Sequence, residues 1–599
     1  MPKSAGLLLL LGGVAAGAPL RNVLMFAVDD LRSQLSVYPE GGAYMHTPNM
    51  ERLAQRSVVF ERAYVAVALC MPSRTALLTS RRPDTSRSWT IEADQWFRQN
   101  DTGADWKTLP QAFKESGYLT LGMGKIFHET MPSYDPQDAR ISWSPEAFYP
   151  DGGEKGKGGL YDPTGEPHGS AKHSAYQAED ADEPAMQDGN ITDHAIATIE
   201  RMANGTFGED VASGARPFFL AVGLHKPHIP WICPKRFFAH YPMEGVPPVP
   251  HPTLPGPAVS AQDWQIRTYC TDVDMAGFCA NMSDGRPMDA RYPLDGQALS
   301  AAGAAYQRQA YFACVSWTDA NVGRVLDAFE KTQFAANDWN GTVLVFWGDH
   351  GYHLGDNDIW EKMTNYEHAT KIPLMIGCGG ADRCVGRSAA LVETLDIMPT
   401  ILEEAGIVPP TPPGAGSAIA CAAAASASRL TPLCTEGRSL SAVLRAPRAA
   451  AHSGTNASLP FGTAYSQFPR PEHPNDRVDL SCRDANLTLC KDAKTNPMAD
   501  GWCNATGQCP NKMGYSVRTD KYRYTVWVAF NKCTGPACPP LLADWSSVHA
   551  VELYNHSDAP ALQDGYGVET ENIAGLPSSA AVQAELHAIV HDFNTRGAA

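Results

Sequence analysis

The sequence predicts an α/β fold, with a large mixed, mostly parallel sheet sandwiched by helices and a smaller C-terminal α+β subdomain built on an antiparallel sheet. Over the first 400 residues, short apolar runs alternate with polar clusters and helix-like stretches, as in a parallel sheet wrapped by helices. Near the C-terminus, residues 515–527 alternate around Thr519 and Asp520, which is typical of a hairpin of antiparallel strands.

Four of the apolar runs end in charged or histidine-containing clusters. These are 23–28 before Asp29 and Asp30, 118–121 before Lys125 and His128, 218–222 before His228, and 343–347 before Asp349 and His350. Open α/β sheets bind ligands just beyond the carboxyl ends of their strands. We therefore expect the four clusters to converge on one crevice.

The rest of the chain divides by composition. Residues 304–331 carry apolar positions at helical spacing and predict a core helix. Residues 152–183 and the proline-dense run 241–257 are interpreted as loop insertions. We predict a signal peptide at 1–18, a catalytic domain at 19–407, a low-complexity linker or insertion at 408–430 and a C-terminal subdomain at 431–599.

Composition excludes several classes of protein. The 599 residues carry a net charge of −17, so there is no broad basic face for a nucleic-acid backbone, and nucleic-acid binding is not expected. With 44% hydrophobic residues the chain is not disordered throughout. After residue 18, no uncharged apolar segment approaches about 18 residues, so no membrane span is expected.

The N-terminus indicates the secretory pathway. Lys3 precedes an apolar run at 7–11 and small residues at 15–18, the arrangement of a secretory signal. A buried first strand or a ragged terminus is the alternative, but the run has no amphipathic period. Nine Asn-x-Ser/Thr acceptor sites fit a secreted glycoprotein. They begin at Asn100, Asn190, Asn204, Asn281, Asn340, Asn456, Asn486, Asn504 and Asn555.

Fifteen cysteines support an oxidising compartment because most lie in close pairs that suit small disulfide-closed loops. The pairs are Cys270/Cys279, Cys378/Cys384, Cys421/Cys434, Cys482/Cys490, Cys503/Cys509 and Cys533/Cys538. The sequence has neither two Cys-x-x-Cys motifs nor a matching pair of histidines, so disulfides explain the cysteines better than a zinc site does. Cys70, Cys233 and Cys314 are left over, and since the count is odd, at least one cysteine is free, modified or paired with another chain.

Adjacent carboxylates at a strand end suggest a metal. Asp29 and Asp30 would repel each other unless a hard cation with oxygen ligands, such as calcium or magnesium, lay between them. A solvated turn or a helix cap explains this pair alone equally well. Asp349 and His350 favour the metal, because the same placement recurs on a second strand.

Cys70 is predicted to open a helix, with Pro72 in its first turn. A helix N-terminus favours an anion, and Arg74 would add a bidentate donor for a tetrahedral oxyanion. The alternative is an ordinary buried cysteine. A thiolate phosphatase would place its arginine six residues after the cysteine rather than four.

The Cys-Met-Pro-Ser-Arg motif at 70–74, followed by Leu78 and Thr79, resembles the signature Cys-x-Pro-x-Arg of the sulfatase family, within the alkaline phosphatase superfamily. In that signature the cysteine is converted to formylglycine. The wider setting, which includes residues 218–230 and 348–355, is most like the iduronate-2-sulfatase subfamily, as is the spacing of three between Lys125 and His128. The resemblance is dense over residues 20–400 and thin elsewhere.

The resemblance implies a site and an activity. Asp29, Asp30, Asp349, His350 and the modified Cys70 would hold one divalent cation, Ca²⁺ in most of the family. The residues implied to surround the sulfate are Arg74, Lys125, His228 and Lys362. His228, assisted by Lys362, would be the acid for the leaving group, and His128 the base that regenerates the aldehyde.

The implied activity is hydrolysis of a sulfate ester of a saccharide, the 2-O-sulfate of iduronate or a related uronate in glycosaminoglycan-like glycans. The implied partner is a formylglycine-generating enzyme, and the implied location is a lysosomal-type compartment or the extracellular space. Alternatives are a sulfatase acting on aryl or choline sulfate, a phosphoester or phosphonate ester hydrolase of the same superfamily, and a non-catalytic secreted glycoprotein with unmodified Cys70.

Three residues depart from the family pattern, and one of them is Asn555, which stands where the family's Glu-Leu-Tyr-Asp has its acid. Ser80 stands where the signature has glycine, at a tight turn after the helix. Tyr352 replaces a tryptophan that the subfamily places facing the substrate.

Overall fold

The computed structural model describes residues 19–91, 96–98, 102–128, 138–145, 160–161, 167–168, 175–251, 301–339, 341–378, 384–412, 414–422, 425–447, 461–470, 512–530, 542–557 and 569–595. The strands within these residues are Asn22–Val28 (β1), Val58–Tyr64 (β2), Leu119–Gly124 (β3), Leu160–Tyr161 (β4), Pro167–His168 (β5), Ala175–Ala178 (β6), Phe218–Leu224 (β7), Trp231–Pro234 (β8), Thr342–Gly348 (β9), His353–Leu354 (β10), Trp360–Glu361 (β11), Lys371–Gly377 (β12), Gly386–Glu393 (β13), Ala464–Arg470 (β14), Lys512–Arg518 (β15), Tyr522–Phe530 (β16) and Ala543–Asn555 (β17).

The helices of the same residues are Pro48–Ala54 (α1), Cys70–Thr79 (α2), Pro83–Ser86 (α3), Leu109–Glu115 (α4), Ala139–Ser142 (α5), Gln187–Ala203 (α6), Glu209–Ala212 (α7), Lys235–Phe238 (α8), Ala301–Glu330 (α9), Ala336–Trp339 (α10), Glu367–Thr370 (α11), Ile397–Glu404 (α12), Ala425–Leu430 (α13), Ser441–Arg445 (α14) and Ala580–Thr595 (α15). The core helix predicted at 304–331 is confirmed as α9.

The large sheet has seven strands in the order β13-β2-β12-β9-β1-β7-β3. Only β12 runs antiparallel to its neighbours, β2 and β9. The sheet is therefore mixed and mostly parallel, as predicted. The four apolar runs singled out in the sequence are β1, β3, β7 and β9, which lie side by side and parallel. Their carboxyl ends consequently share one edge of the sheet.

Helices cover both faces of this sheet. On β1, Leu24, Phe26 and Val28 pack towards α1, α6 and α9, while the alternate residues pack towards α2, α4, α12 and α14. A strand buried on both faces needs an apolar side chain at nearly every position. The unbroken run at 23–28 satisfies that demand.

The smaller sheet is antiparallel, in the order β14-β15-β16-β17. The hairpin predicted around Thr519 is β15–β16, and the Thr519 main-chain N–H donates to the Tyr522 carbonyl at 2.8 Å to close the turn. Helix α15 covers the sheet with Leu586 and Val590. The α+β subdomain is therefore confirmed.

The insertion at 152–183 is not wholly a loop. Its described parts contribute β4, β5 and β6 to a second four-stranded sheet that β8 completes, with β6 parallel to β8. Strands of two to four residues are too short to show an alternating pattern, so the sequence did not reveal them. In the other predicted insertion, the described residues 241–251 form a single 3₁₀ turn at Met243–Gly245 and otherwise irregular chain.

Two of the predicted cysteine pairs are disulfides, Cys378–Cys384 and Cys421–Cys434. The other four pairs and the predicted signal peptide lie outside the described residues. Among the helices that are described, none has the length and apolar character needed to cross a bilayer.

Candidate active site

The carboxyl ends of β1 and β9 bring three carboxylates together. Asp29, Asp30 and Asp349 are fully buried, as is His350. The Asp30 main-chain N–H donates to Asp349 Oδ1 at 3.1 Å, which ties the two strand ends to each other. Asp30 has a φ of 54°, a left-handed conformation that short polar side chains tolerate better than others do. The backbone therefore turns sharply at Asp30, where the three carboxylates meet.

Cys70 is the first residue of helix α2, as the sequence predicts. Its Sγ atom lies 3.4 Å from Asp29 Oδ1 and 3.3 Å from His350 Nε2. Burial and Asp29 each raise the pKa of the thiol, but Lys362, Lys125 and His350 together hold it well below its usual range. The surroundings of this side chain therefore favour an anion.

Three buried cations face the carboxylates. Lys125 Nζ lies 2.5 Å from Asp29 Oδ2. Lys362, which follows β11, donates from Nζ to Asp30 Oδ1 at 2.5 Å and to Cys70 Sγ at 3.3 Å. Burial alone would lower the pKa of Lys362, but Asp30 and Cys70 raise it well above its usual range. The lysine therefore stays charged.

Arg74, the third cation, is fixed by hydrogen bonds from two of its three guanidinium nitrogens. Its Nε atom donates to Asp349 Oδ2 at 2.8 Å, and Nη1 donates to the carbonyls of Lys125 and Ile126 at 2.5 and 3.1 Å. Nη2 is buried 3.6 Å from Asp29 Oδ1 and makes no hydrogen bond to any residue that the structure describes. A fixed guanidinium with one spare donor suits an anion entering the site.

Two histidines contact Cys70 and are shifted in opposite directions. Burial lowers the pKa of His128, which hydrogen-bonds to Cys70. Burial would also lower the pKa of His228, but Asp30 reverses this and the net shift is upward. His128 is therefore suited to remain neutral and His228 to remain protonated.

The acidic cluster fits a divalent cation. One ligand atom from each of Asp29, Cys70, Asp349 and His350 lies within 4.8 Å of the others, and Asp29, Asp30, Cys70 and His228 form a second, overlapping set. Burial raises the pKa of Asp349 to about 7 despite Arg74. Asp30 Oδ2 is buried with no hydrogen-bond donor among the described residues. Carboxylates packed this closely, with an oxygen left over, are the donor set that hard cations prefer.

Every site residue predicted from the sequence lies in this one crevice, but two supporting residues were missed. Asp188, on α6, accepts the main-chain N–H groups of His225 and Lys226, both at 2.8 Å, and so holds the segment that carries His228. Tyr311, on α9, contacts the main chain around Asp30. An acid in a first helical turn and an aromatic on an apolar helix face are too common to draw notice.

Ser80 and Tyr352, which depart from the family pattern near the site, are both accommodated in the structure. Ser80 adopts a φ of 48°, and its hydroxyl donates to the Leu395 carbonyl at 2.8 Å and accepts the Gly437 N–H at 3.2 Å. The hydrogen bonds of Ser80 therefore offset the cost of a conformation that favours glycine.

Tyr352 is 1% exposed and stacks on Tyr311 at 5.6 Å between ring centroids.

Comparison with known proteins agrees with this geometry. The family model described as Sulfatase matches residues 21–407. Iduronate 2-sulfatase of Homo sapiens is 32% identical over 571 residues, 91% of this chain and 90% of the human protein. A protein described as Sulfatase from Formosa agariphila is 31% identical over 400 residues, 64% of this chain and 69% of that protein.

Solved structures share the fold. Phosphonate monoester hydrolase from Silicibacter pomeroyi superposes with a TM-score of 0.60 at 18% identity, covering 96% of each chain. The 2-O GAG sulfatase BT1596 superposes with a TM-score of 0.56 at 16% identity, covering 96% of this chain and 92% of that one. The family model spans well over half of the chain, and the human relative matches nearly all of it. The chain therefore belongs to the sulfatase family and is a sulfatase enzyme.

Proposed function

We propose that this sulfatase removes the 2-O-sulfate of iduronate or a related uronate from glycosaminoglycan-like saccharides, using a formylglycine made from Cys70 and one Ca²⁺ ion. The observation that carries the proposal is the set of buried charges around Cys70, in a chain 32% identical over 91% of its length to human iduronate 2-sulfatase. The proposed setting is the secretory pathway, ending in a lysosomal-type compartment or outside the cell.

Asp29, Asp30, Asp349 and His350 would hold the cation, with the side chain at position 70 completing its ligands. A bound cation supplies Lewis-acid stabilisation of negative charge on oxygen. Arg74, Lys125 and Lys362 form ion pairs with the three carboxylates. These three cations, held in place beside the carboxylates, would surround an incoming sulfate.

Conversion of Cys70 to formylglycine would require a formylglycine-generating enzyme, for which the Cys-x-Pro-x-Arg motif at 70–74 would be the substrate. The hydrated aldehyde supplies an oxygen nucleophile for attack at sulfur. Position 70 suits such a group, because the α2 N-terminus and Lys362 both favour negative charge there. The spare Nη2 of Arg74 would donate to a sulfate oxygen.

The two histidines would divide the proton transfers. Asp30 raises the pKa of His228, so His228 would donate a proton to the sugar oxygen as that oxygen leaves. Lys362 would assist by stabilising the same developing charge. His128, neutral because of its burial, would accept the proton whose removal regenerates the aldehyde.

The overall charge of the chain bears on the size of the substrate. A net charge of −17 repels long polyanionic glycans, so short saccharides or chain ends are the proposed substrates.

Sulfate release from a panel of defined substrates tests the proposal. Disaccharides with a terminal 2-sulfated iduronate should be hydrolysed at least tenfold faster, in kcat/KM, than matched disaccharides sulfated on the 6-O of glucosamine. A preference for aryl sulfate, choline sulfate or a phosphonate monoester would contradict the proposed substrate. Arg74→Lys keeps the positive charge but loses the forked pair of donors of the guanidinium, so it should retain little activity on any of these substrates.

A further inference from the structure

Cys233 and Cys314 are the two cysteines that neither the sequence motifs nor the active site explains. Both are fully buried, Cys233 on β8 and Cys314 on α9. Their side chains hydrogen-bond to each other, although 80 residues separate them in the chain. Two thiols in contact across two packed elements are the minimum requirement for a cross-link.

The packing of β8 on α9 explains why the two thiols meet. Trp231 and Cys233 are two residues apart on a strand and therefore share a face, and Tyr311 and Cys314 are three apart on a helix and share a face too. The rings of Trp231 and Tyr311 are in contact, with centroids 5.8 Å apart. Cys233 and Cys314 lie on these same two faces, and their side chains are in contact there.

The same helix face also holds the chain leading into β8. Thr318, one turn beyond Cys314, donates from Oγ1 to the Lys226 carbonyl at 2.8 Å. The segment 226–233 is therefore in contact with α9 at both of its ends, and it contains His228. A covalent link at Cys233 would fasten the end of this segment that Asp188 does not hold.

We infer that Cys233 and Cys314 form a disulfide in the mature protein, which ties the segment carrying His228 to the long core helix. The reaction is an exchange with a disulfide oxidant of the secretory pathway. One S–S bond forms between the two sulfurs, their two protons and two electrons pass to the oxidant, and the oxidant is reduced to two thiols.

One further observation agrees with the inference, and another bears on when the bond would form. Other cysteines of the described chain, Cys378–Cys384 and Cys421–Cys434, are already joined, so the protein carries disulfides elsewhere. Burial and contact with Cys314 raise the pKa of Cys233 well above its usual range, which makes a buried thiolate unavailable. Since the thiolate is the attacking species in exchange, the bond has to form while the chain folds, before β8 is covered.

Peptide mass spectrometry on full-length protein from a eukaryotic secretory host tests the inference. The protein is denatured without reductant, its free thiols are blocked with N-ethylmaleimide, and it is digested with trypsin. The inference predicts a species that joins the peptide 309–324, which contains Cys314, to the peptide containing Cys233, and that separates into two on reduction. Maleimide adducts on both cysteines would overturn it.

Single variants provide the matched controls. Cys233→Ser and Cys314→Ser should each add one maleimide per molecule, on the surviving partner, whereas Cys378→Ser should add one on Cys384 and leave the 233–314 species intact. If the single variants do not fold, the wild-type digest alone decides the question. Cys314→Ser should lose activity on heating at least several-fold faster than the wild type, whereas an equal rate would overturn the proposed restraint.

Discussion

The Tyr311 hydroxyl donates a 2.7 Å hydrogen bond to the main-chain carbonyl of Asp30 and accepts the main-chain N–H of Arg32 at 3.0 Å. A single side chain of the long helix thereby fixes the turn that presents Asp30 to the candidate active site. Because Asp30 adopts a left-handed conformation there, the turn depends on contacts of this kind.

Tyr311→Phe should therefore weaken the binding of Ca²⁺ about tenfold, since residues that orient metal ligands typically affect affinity by about 10–100-fold. The measurement is calorimetric titration of chelator-treated protein with Ca²⁺. Tyr306→Phe, the same change on the same helix, serves as the control and should bind as the wild type does. Equal affinities for the two variants would exclude a positioning role for Tyr311.

His228→Gln should slow hydrolysis of sugar sulfates by about 10²–10⁴-fold, the usual contribution of a general acid. Aryl sulfates should be affected far less, because a phenolate leaves without protonation. The ratio of kcat for 4-nitrophenyl sulfate and a uronate 2-sulfate measures this difference. His240→Gln, which changes a partly exposed histidine stacked on His46, is the control. An equal loss on both substrates would assign His228 to sulfate binding alone.

The two sheets are joined by a buried ion cluster with a predictable response to pH. Glu367, on α11, accepts from Arg518 Nε at 3.0 Å and from Arg523 Nη2 at 2.6 Å, both on the smaller sheet. Burial would raise the pKa of Glu367, but the two arginines hold it well below its usual range. A depressed pKa in the folded state stabilises the protein above the pKa of the unfolded chain, and the benefit is lost as the pH falls through the folded pKa.

Glu367→Gln should lower the free energy of unfolding by about 3–5 kcal/mol at pH 7, because the buried Arg518 loses its carboxylate partner and Arg523 keeps only Glu569. The deficit relative to the wild type should shrink as the pH falls below about 4.5, the ordinary range for glutamate. Urea unfolding of both proteins at several pH values measures this deficit in the free energy of unfolding. Glu61→Gln breaks the exposed pair with Arg387 and should cost at most about 1 kcal/mol. A deficit for Glu367→Gln that does not vary with pH would contradict the electrostatic explanation.

Ser80 offers a test of the turn after α2. Ser80→Ala should cost about 1–3 kcal/mol, because the buried Leu395 carbonyl and Gly437 N–H lose their shared partner while the left-handed backbone remains. Ser80→Gly loses the same bonds but relieves the backbone, so it should cost about 1 kcal/mol less. Chemical denaturation of both variants compares them. A glycine variant less stable than the alanine variant would contradict this explanation.

Much of the fold is predictable because it depends on local pattern. The runs at β1, β7 and β9 are nearly continuous because both faces of those strands are buried, and the charged residues that follow them indicate where the crevice lies. The short strands β4, β5 and β6 are not predictable, since their pairing with one another and with β8 is decided by tertiary contact.

The same distinction applies to the site. Asp29, Asp349 and Cys70 can be identified because charge at a strand end and a cysteine at a helix start are unusual. Asp188 and Tyr311 cannot, because their function depends on which main-chain atoms they reach. The contact between Cys233 and Cys314 is also unpredictable from their spacing in the sequence, because it depends on the packing of β8 on α9.

The mass of the peptide that contains Cys70, from protein purified from its native source, decides whether the proposed nucleophile is present. We expect formylglycine at position 70, about 18 Da lighter than cysteine through loss of one sulfur and two hydrogens and gain of one oxygen. An intact thiol or a disulfide at Cys70 would contradict the proposed mechanism.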